Sequence, residues 1–566
     1  MTKDASMTKT QPRIWGTLDP FLESGAIWGR RVANEQFLSA LFDLDPFDAY
    51  HFFLATPREV QQTEEIFRQR YPGFLNNGHV RFFLRHELPK ALRTNGYHCF
   101  HLSDCINHPP ALARLRNAYS DDLFPVTSVT HSLSYPGYPA QFLAHLWSGC
   151  TARDGIIATS RAGKGAVQAY FTHLRRHFEL DAHRFPQPEV SVIPLGMKPP
   201  STPAPHEAIR RKGRDGLKAS DETCVMLVLG RISPHAKMDL LPLLRAWQRI
   251  APKKDSRVLL VIAGWVEPRD DFPETFSALA RNVGLPIRLI PRPDDELKQE
   301  LYTAADIFIS LADNPQETFG LTLLEAGLAG LPVIAADYSG YRDIVLHEQT
   351  GYLIPTIGPK DSDDIDMLSG LIPDYEVQFL LAQQTAVLVP ALAEALRRLI
   401  DNPELRRDMG RRAELHVRTH YSWPDLIRQH LALWDHLWEQ EVAPLPGKVF
   451  ARPLELPYAG IFAGFHHSTM DAQTRLRCSR IGEKIYSGRD FPVIYAGLED
   501  LVTPEAIRQI LFCARKPVTF AELVMKMDRL FPQIDQATVR FCLHWALKHD
   551  LLEIMPEEEG TLDQVS

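Results

Sequence analysis

The 566-residue chain has no uninterrupted apolar run of about 20 residues, the length that a membrane-spanning helix requires. Its first residues, Met1-Thr-Lys-Asp-Ala-Ser, also lack the apolar core of a signal peptide. The seven cysteines are scattered and form no Cys-x-x-Cys pair, which favours reduced thiols over a cysteine metal site. We therefore expect a cytoplasmic protein without a transmembrane segment. A peripheral membrane contact stays compatible with this composition.

Two common nucleotide-binding motifs are also missing. There is no Gly-x-Gly-x-x-Gly fingerprint and no Walker loop, because Gly163-Lys-Gly165 lacks the required spacing. The net charge of -8 argues against a nucleic-acid binder. Hydrophobic content of 45% and charged content of 23% are those of an ordinary globular protein. The length predicts two to four domains.

The most informative stretch lies between Asp306 and Ile334. Asp306-Ile-Phe-Ile-Ser-Leu311 is typical of a buried parallel strand, and Asp313-Asn-Pro-Gln316 is typical of a turn. Gly320 is predicted to open a helix, and Leu331-Pro-Val-Ile-Ala335 begins the next strand. A helix N-terminus after a strand and a loop binds anions, because its free N–H groups and dipole face the ligand.

Two carboxylates flank that predicted helix start, with seven residues between Glu317 and Glu325. Carboxylates hold sugar hydroxyls and the helix end holds phosphate, so the combination suits a nucleotide sugar. The alternative is a surface loop with a solvated glutamate before an amphipathic helix.

The stretch Glu317-Thr-Phe-Gly-Leu-Thr-Leu-Leu-Glu325, with Ala-Gly-Leu-Ala-Gly-Leu-Pro-Val-Ile after it, resembles the donor site of the retaining family-four glycosyltransferases with the GT-B fold. The resemblance covers roughly residues 13–440. It implies a hexosyltransferase-like enzyme that moves a sugar from a nucleotide-diphosphate donor, such as a UDP- or GDP-sugar, to a hydroxyl-bearing acceptor with retention of configuration. It also implies that Glu317 holds the sugar and Glu325 the ribose, with the donor also bound by Phe319, Gly320, Leu321 and Thr322.

Alternation of apolar strands and helical patterns predicts an α/β fold with two doubly wound, Rossmann-like domains. We expect an acceptor-side domain at residues 1–210, a donor-binding domain at 211–420, a crossover helix at 421–445 and an accessory, mainly helical domain at 446–566. A loop-like linker is predicted between Pro199 and Asp221, including Arg210-Arg-Lys-Gly-Arg214. In the crossover helix, the apolar face of Ile427, Leu431, Trp434 and Trp438 is expected to pack on the N-terminal domain.

Two cations in the second domain resemble the family's phosphate-binding pair. Gly230-Arg231 ends a predicted strand and Lys237 opens the following helix, positions from which both reach a diphosphate. Met238 stands where relatives often have glycine, and a plain surface pair is the alternative. These two cations can neutralise the diphosphate in place of a metal ion, and no Asp-x-Asp site stands at a strand end. We therefore expect no divalent metal and no cofactor.

Two further residues of that domain are candidates for the nucleotide pocket. Trp265 follows another strand and is predicted to stack on or cap the nucleotide, with a hydrophobic anchor between domains as the alternative. Arg292 lies where relatives read the base with backbone groups.

Three features of the N-terminal half are candidates as well. Gly25 and Gly29 lie in a loop before a helix, beneath the expected donor phosphates, or they form a capping turn. His131 follows a strand and faces the predicted crevice, or it is a satisfied core histidine. Ser160-Arg-Ala-Gly-Lys164 either faces phosphate or begins a solvated helix.

The stretch from Pro359 to Leu380 departs from the family and is predicted to be an inserted acidic loop. Beyond residue 446, helix starts at Thr503, Thr519 and Asp535 and a strand at Leu551-Leu-Glu-Ile-Met555 resemble a winged-helix module for partner docking or homodimerisation. The sequence leaves the acceptor open between a glycan, a lipid-linked group, a small molecule and a peptide. It also leaves open a non-catalytic GT-B scaffold that acts through its last module, and a sugar-nucleotide hydrolase or epimerase.

Overall fold

The computed structural model describes residues 12–22, 29–198, 206–235, 237–250, 257–265, 272–442, 454, 456–498, 501–534 and 536–555. The chain divides into two compact units, Met1–Arg452 and Pro453–Ser566. None of the helices within the described ranges is long and apolar enough to span a bilayer.

The first half of the first unit is a parallel sheet of seven strands among the described residues, in the order β3-β2-β1-β4-β5-β6-β7. The strands are β1 (Ile14–Thr17), β2 (Ala49–Leu54), β3 (Val80–Leu84), β4 (Tyr97–Leu102), β5 (Val126–Val129), β6 (Gly155–Ala158) and β7 (Glu189–Val192). The helices are α1 (Gly29–Leu44), α2 (Pro57–Arg70), α3 (Pro72–Asn76), α4 (Leu88–Thr94), α5 (Pro109–Tyr119), α6 (Tyr138–Trp147) and α7 (Arg161–His177). Strand order reverses between β1 and β4, and such a reversal opens a crevice at the carboxyl ends of the strands.

The second half contains a parallel sheet of six described strands in the order β10-β9-β8-β11-β12-β13. They are β8 (Cys224–Arg231), β9 (Val258–Trp265), β10 (Ile287–Pro291), β11 (Ile307–Ser310), β12 (Val333–Ala336) and β13 (Gly351–Ile354), followed by a separate antiparallel pair, β14 (Thr356–Ile357) and β15 (Ala386–Val387). The helices are α8 (His206–Leu217), α9 (Leu241–Arg249), α10 (Phe272–Asn282), α11 (Asp295–Ala304), α12 (Leu321–Leu328), α13 (Tyr341–Ile344), α14 (Asp363–Leu368), α15 (Asp374–Gln383), α16 (Val389–Asp401) and α17 (Pro403–His420). The predicted pair of doubly wound sheets is confirmed.

The prediction of a loop-like linker is wrong over its second part, because Arg210 and Arg214 lie in helix α8. Both guanidinium groups bind the Asp306 carboxylate, at 2.8 and 3.2 Å, and Arg214 also donates to the carbonyl of Ala304. These charge-assisted bonds fix the helix to Asp306, and Leu217 near its end joins the apolar core of the second half. Because Asp306 is distant in sequence, the local pattern of residues 199–221 does not reveal this attachment. Residues 199–205 lie outside the described part of the chain.

Helix α18 (Trp423–Glu439) returns to the N-terminal half, as predicted. Trp423, Ile427 and Trp434 belong to the same apolar core as β1, β2 and α1. The indole N–H of Trp434 donates to Thr127 Oγ1 at 2.9 Å, and that of Trp423 donates to Gln36 Oε1 at 2.9 Å. These buried indoles and their hydrogen-bond partners attach α18 to the N-terminal half.

The predicted inserted loop at 359–380 is in part helical, since α14 and most of α15 fall within it. Helix α15 begins after Pro373, and its buried residues are Val377, Gln378 and Ala382. The i, i+1, i+5 spacing of those residues is too short a pattern to signal a helix from periodicity.

The second unit has an antiparallel sheet in the order β17-β16-β18 in its described residues. Its elements are α19 (Tyr458–Ile461), β16 (Arg475–Cys478), α20 (Arg480–Tyr486), α21 (Pro504–Cys513), β17 (Val518–Thr519), α22 (Phe520–Leu530), α23 (Gln536–Lys548) and β18 (Leu552–Ile554). Thr519 and Glu522 form the predicted capping box. Asp535 lies outside the described residues, and the winged-helix-like role stays a prediction.

Candidate functional site

The loop at residues 314–320, here called the site loop, lies at the carboxyl end of β11. The buried Asn314 shapes it: its side-chain oxygen accepts from the Gln316 N–H at 3.0 Å, and its backbone oxygen accepts from the Glu317 N–H at 3.0 Å. Its amide group donates to the carbonyl of His235 at 3.1 Å, in the segment that follows β8. The predicted turn chemistry therefore also ties the site loop to the segment that carries Lys237.

Gly320 ends the site loop and caps helix α12 with φ of 109°, a backbone conformation that favours glycine. A Cβ at this position would lie 2.5 Å from the Tyr341 ring. The helix begins where the sequence predicts, at Leu321. The buried Thr322 Oγ1 has no hydrogen-bond partner among the described residues. The first turn of α12 thus offers backbone N–H groups and one unsatisfied hydroxyl.

The Glu317 carboxylate is held by a lysine and by a buried tyrosine hydroxyl. Lys237 Nζ lies 3.5 Å from Glu317 Oε2, and both side chains are less than a fifth exposed. The hydroxyl of the fully buried Tyr341 donates to the same oxygen at 3.3 Å, and it is 2.7 Å from Ser310 Oγ. Burial and the Glu317 charge raise the pKa of Tyr341, which keeps its hydroxyl protonated as a donor. The site therefore presents a compact, oriented cation–carboxylate pair.

Arg231 lies beside the same loop. Its Nη2 donates to Gln316 Oε1 at 3.0 Å, one residue before Glu317. The neighbouring Gly230 allows close packing, because a Cβ there would lie 3.0 Å from Lys237 Cδ. Gly264, which pairs with Gly230 on the neighbouring strand, is packed even more tightly: a Cβ on it would lie 1.6 Å from the Gly230 carbonyl oxygen. Glycine at both strand ends thus brings Arg231 and Lys237 to the site loop.

Glu325, on α12, has partners that sequence reasoning missed. Lys298 Nζ lies 2.5 Å from Glu325 Oε1, and the Tyr302 hydroxyl donates to Oε2 at 2.8 Å. The two partners are four residues apart and so share one face of α11. That spacing was visible in the sequence, but nothing local connects it to Glu325.

Trp265 and Arg292 are brought together at the ends of β9 and β10. The Arg292 guanidinium lies 3.9 Å from the centre of the Trp265 ring, a cation–π contact. The Arg292 N–H donates to the Gly264 carbonyl at 2.7 Å. The indole is 43% exposed, so it retains a face for a ligand.

Two further predicted donor residues, Phe319 and Gly29, lie close to Glu317 and to the start of α12 respectively. The Phe319 side chain is buried in the core of the second half, and its N–H donates to Glu317 Oε1 at 3.3 Å. Phe319 therefore supports the site through its backbone. Gly29 begins α1, where a Cβ would lie 3.9 Å from Leu321 Cδ1, so it lies next to the α12 start. Gly25 lies outside the described residues.

The part of the chain that contains the site loop is similar to a known protein family. Residues 210–366 match the family model described as Glycosyl transferases group 1. We refer to residues 210–366, which are similar to that family, as the group 1 domain. All predicted site residues of the second half fall within those limits, so the group 1 domain holds both cations and both carboxylates.

Two curated relatives carry the same name, D-inositol 3-phosphate glycosyltransferase. The one from Corynebacterium glutamicum is 27% identical over 273 residues, which is 48% of this chain and 56% of the relative. The one from Kineococcus radiotolerans is 30% identical over 247 residues, which is 43% of this chain and 51% of the relative. The chain thus spans about half the length of the curated relatives it matches.

Among solved structures, Anabaena HepE in complex with UDP is 15% identical with a TM-score of 0.49, over 75% of this chain and all of HepE. We assign the fold from the strand order of the two sheets and not from this comparison.

The N-terminal half meets the group 1 domain at the site loop. Ser132 Oγ donates to the Gln316 carbonyl and Ser160 Oγ to the Thr318 carbonyl, both at 2.8 Å. Ser160 also caps α7, while the exposed Arg161 binds the Asp343 carboxylate at 2.5 Å. The predicted helix start at Ser160 therefore forms a direct contact between the two halves.

His131 immediately precedes one of these contacts. Its Nε2–H donates to the Ser103 carbonyl at 2.8 Å, which leaves Nδ1 as the acceptor of the ring. Burial, and to a lesser extent the charge of Arg30, lowers the pKa of His131 to about 4. The imidazole is thus neutral near pH 7 and suited to accept a hydrogen bond from a hydroxyl.

Exchange of Gly320 for alanine should test how tightly the α12 start is packed. Gly320→Ala should destabilise the protein by about 2–4 kcal/mol, from a strained φ and from the clash with Tyr341. Gly330→Ala is the matched control, because Gly330 has φ of 70° but its nearest obstacle is 4.0 Å away. It should cost only about 1–2 kcal/mol. Equal shifts of the two urea unfolding midpoints would contradict this packing.

The depressed pKa of His131 has a defined consequence for stability. The unfolded chain binds this proton below pH 6.5 and the folded chain only near pH 4, so stability present above pH 6.5 is lost as the pH falls through that window. Replacing His131 by asparagine should reduce the loss between pH 7 and pH 4.5 by on the order of 1–2 kcal/mol, since the ring is partly exposed. An imidazole NMR titration with a midpoint near 6.5 would show that the ring is not desolvated.

Proposed function

We propose that the protein is a glycosyltransferase that moves a sugar from a nucleotide-diphosphate donor to a hydroxyl-bearing acceptor. One observation carries the proposal: Gln316 and Glu317, consecutive residues of the site loop, contact Arg231 and Lys237 respectively. Two cations and a carboxylate therefore meet just before the α12 N-terminus. That is the charge arrangement that a sugar joined to a diphosphate needs.

The reaction breaks the bond between the anomeric carbon of the sugar and an oxygen of the diphosphate. The bonding electrons leave with the diphosphate, so negative charge grows on it in the transition state. Arg231, Lys237 and the first N–H groups of α12 would neutralise that charge, and such preoriented donors stabilise a transition state most where charge develops. The acceptor oxygen bonds to the anomeric carbon, and its proton passes to the departing diphosphate oxygen. With two protein cations in place, we propose that neither a divalent metal nor a cofactor is required.

Glu317 would hold hydroxyls of the transferred sugar, since its carboxylate is already oriented by Tyr341 and Lys237. The resemblance to retaining enzymes is the basis for proposing that the new bond forms on the same face of the sugar. Glu325 would accept from the ribose hydroxyls, which requires it to share its oxygens with Lys298 and Tyr302. Trp265, stacked with Arg292, would face the base of a UDP- or GDP-sugar.

The acceptor would enter from the crevice of the N-terminal half. His131 precedes Ser132, whose hydroxyl contacts the site loop, and the neutral His131 ring offers Nδ1 to an acceptor hydroxyl. The names of the two curated relatives make D-inositol 3-phosphate a rational first acceptor for this chain.

The proposal is tested by incubating the full chain with UDP- and GDP-sugars, with and without D-inositol 3-phosphate, glycans and lipid-linked acceptors. Acceptor-dependent sugar transfer supports a transferase, whereas acceptor-independent release of sugar would indicate a hydrolase. Glu317→Ala should slow transfer and leave nucleotide affinity nearly unchanged, while Glu325→Ala should weaken nucleotide binding. Wild-type turnover by both folded variants would refute this site. If the chain neither binds nor turns over any donor, a scaffold role becomes the better account.

The cation pair should make the protein prefer nucleoside diphosphates to monophosphates. Arg231→Ala and Lys237→Ala should each lose about 2–4 kcal/mol of transition-state stabilisation, with a smaller loss of UDP or GDP affinity. Lys212→Ala is the matched control, because Lys212 is an exposed cation of the same half that binds Glu296 and Glu300. Calorimetry that finds UMP and UDP, or GMP and GDP, bound equally by the wild type would exclude a diphosphate site here.

A further inference from the structure

Helix α15 lies in the stretch where the sequence departs from the family, yet it buries a polar side chain against the site. Gln378, on this helix, has no solvent exposure. Its Oε1 accepts from Gln316 Nε2, and its own amide group donates to Ser134 Oγ at 3.0 Å. A buried amide with both ends satisfied is held in one orientation. Gln378 therefore connects the site loop to the N-terminal half.

The same contact determines how Gln316 faces Arg231. The Gln316 amide nitrogen is taken by Gln378, so its oxygen points at Arg231 Nη2, 3.0 Å away. Without an acceptor at position 378, the Gln316 amide is free to rotate by half a turn. Its NH2 group would then oppose the guanidinium, two donors facing each other, and Arg231 would lose its support.

The next residue of α15 contacts the segment of the other cation. The Phe379 ring stacks on His235, with centres 3.9 Å apart and planes 20° apart. The His235 carbonyl is the acceptor for Asn314, and Lys237 follows two positions later. Two consecutive residues of α15 thus contact the site loop and the segment that carries Lys237.

We propose that Gln378 is a positioning residue, which acts through Gln316 to orient Arg231 toward the diphosphate. Because its other end is bound to Ser134, the orientation of Arg231 depends on contact between the two halves of the first unit. The inference rests on the proposed function, since it concerns the grip on the diphosphate. It assigns a role to an element that lies outside the residues matched by the family model.

The test compares Gln378→Leu with Gln383→Leu, the same exchange at an exposed position of the same helix. Affinities for UDP and UMP, and for GDP and GMP, are measured by calorimetry on the full chain. In Gln378→Leu the preference for diphosphate over monophosphate should fall about three- to tenfold, the effect of one hydrogen bond. Gln383→Leu should keep the wild-type preference. An unchanged preference in Gln378→Leu, or an equal fall in both variants, overturns the inference.

A double-mutant cycle separates positioning from general damage. If Gln378 acts through Gln316, then Gln316→Ala combined with Gln378→Leu should lower the preference no further than Gln316→Ala alone. In an Arg231→Ala background, Gln378→Leu should likewise have no additional effect. Additive losses in either background would refute the route through Gln316. Should Gln378→Leu fail to fold, Gln378→Met takes its place in each comparison, because it keeps the length of the side chain.

The two proposals fail in different ways. A wild type that binds diphosphate and monophosphate equally contradicts the proposed function itself. A wild type that prefers diphosphate, with Gln378→Leu unaffected, contradicts only the role of Gln378. Ser134→Ala extends the test to the other end of the amide, where a partial fall in preference is expected and no change would exclude the link to the N-terminal half.

Discussion

The site depends on one short loop whose backbone carbonyls are bound from the opposite half of the unit. Ser132 and Ser160 donate to the carbonyls of Gln316 and Thr318, each at 2.8 Å. Between those two carbonyls stands Glu317, the carboxylate that meets Lys237. A change in the contact between the halves must therefore move the loop that carries the carboxylate. Helix α18, which follows the second half in the chain, also packs on the N-terminal half, where its Trp423 and Trp434 are buried.

The charges of the site are already compensated within the protein. Lys237 is paired with Glu317, Lys298 with Glu325, and Arg231 is held by the neutral Gln316. Pairing offsets part of the desolvation free energy of these buried charges, because an isolated buried ion is strongly disfavoured. In the proposed function, the amides of Gln316 and Gln378 orient Arg231 without adding charge to the phosphate site.

The site could be predicted from the sequence where its signals are local. The turn at Asn314, the left-handed glycine at position 320 and the start of α12 depend on a few neighbouring residues. Tyr341 was missed, although its ring occupies the space that a Gly320 side chain would need. The linker prediction failed at α8 because that helix is fixed in part by guanidinium–carboxylate bonds to Asp306, which is distant in sequence. Hydrophobic periodicity does not register such an attachment.

The sequence by itself determined the alternation of strands and helices, the glycines at strand and helix ends, and the residue types that a phosphate and a sugar need. These follow from dihedral preferences and side-chain chemistry, which act over a turn or two of chain. Only the tertiary structure decided which side chains contact one another in the site. Lys298 meets Glu325 and Gln378 meets Gln316 across 27 and 62 positions of sequence. Such pairs form only after two sheets have brought distant segments together, because no local pattern encodes which element lies across a crevice.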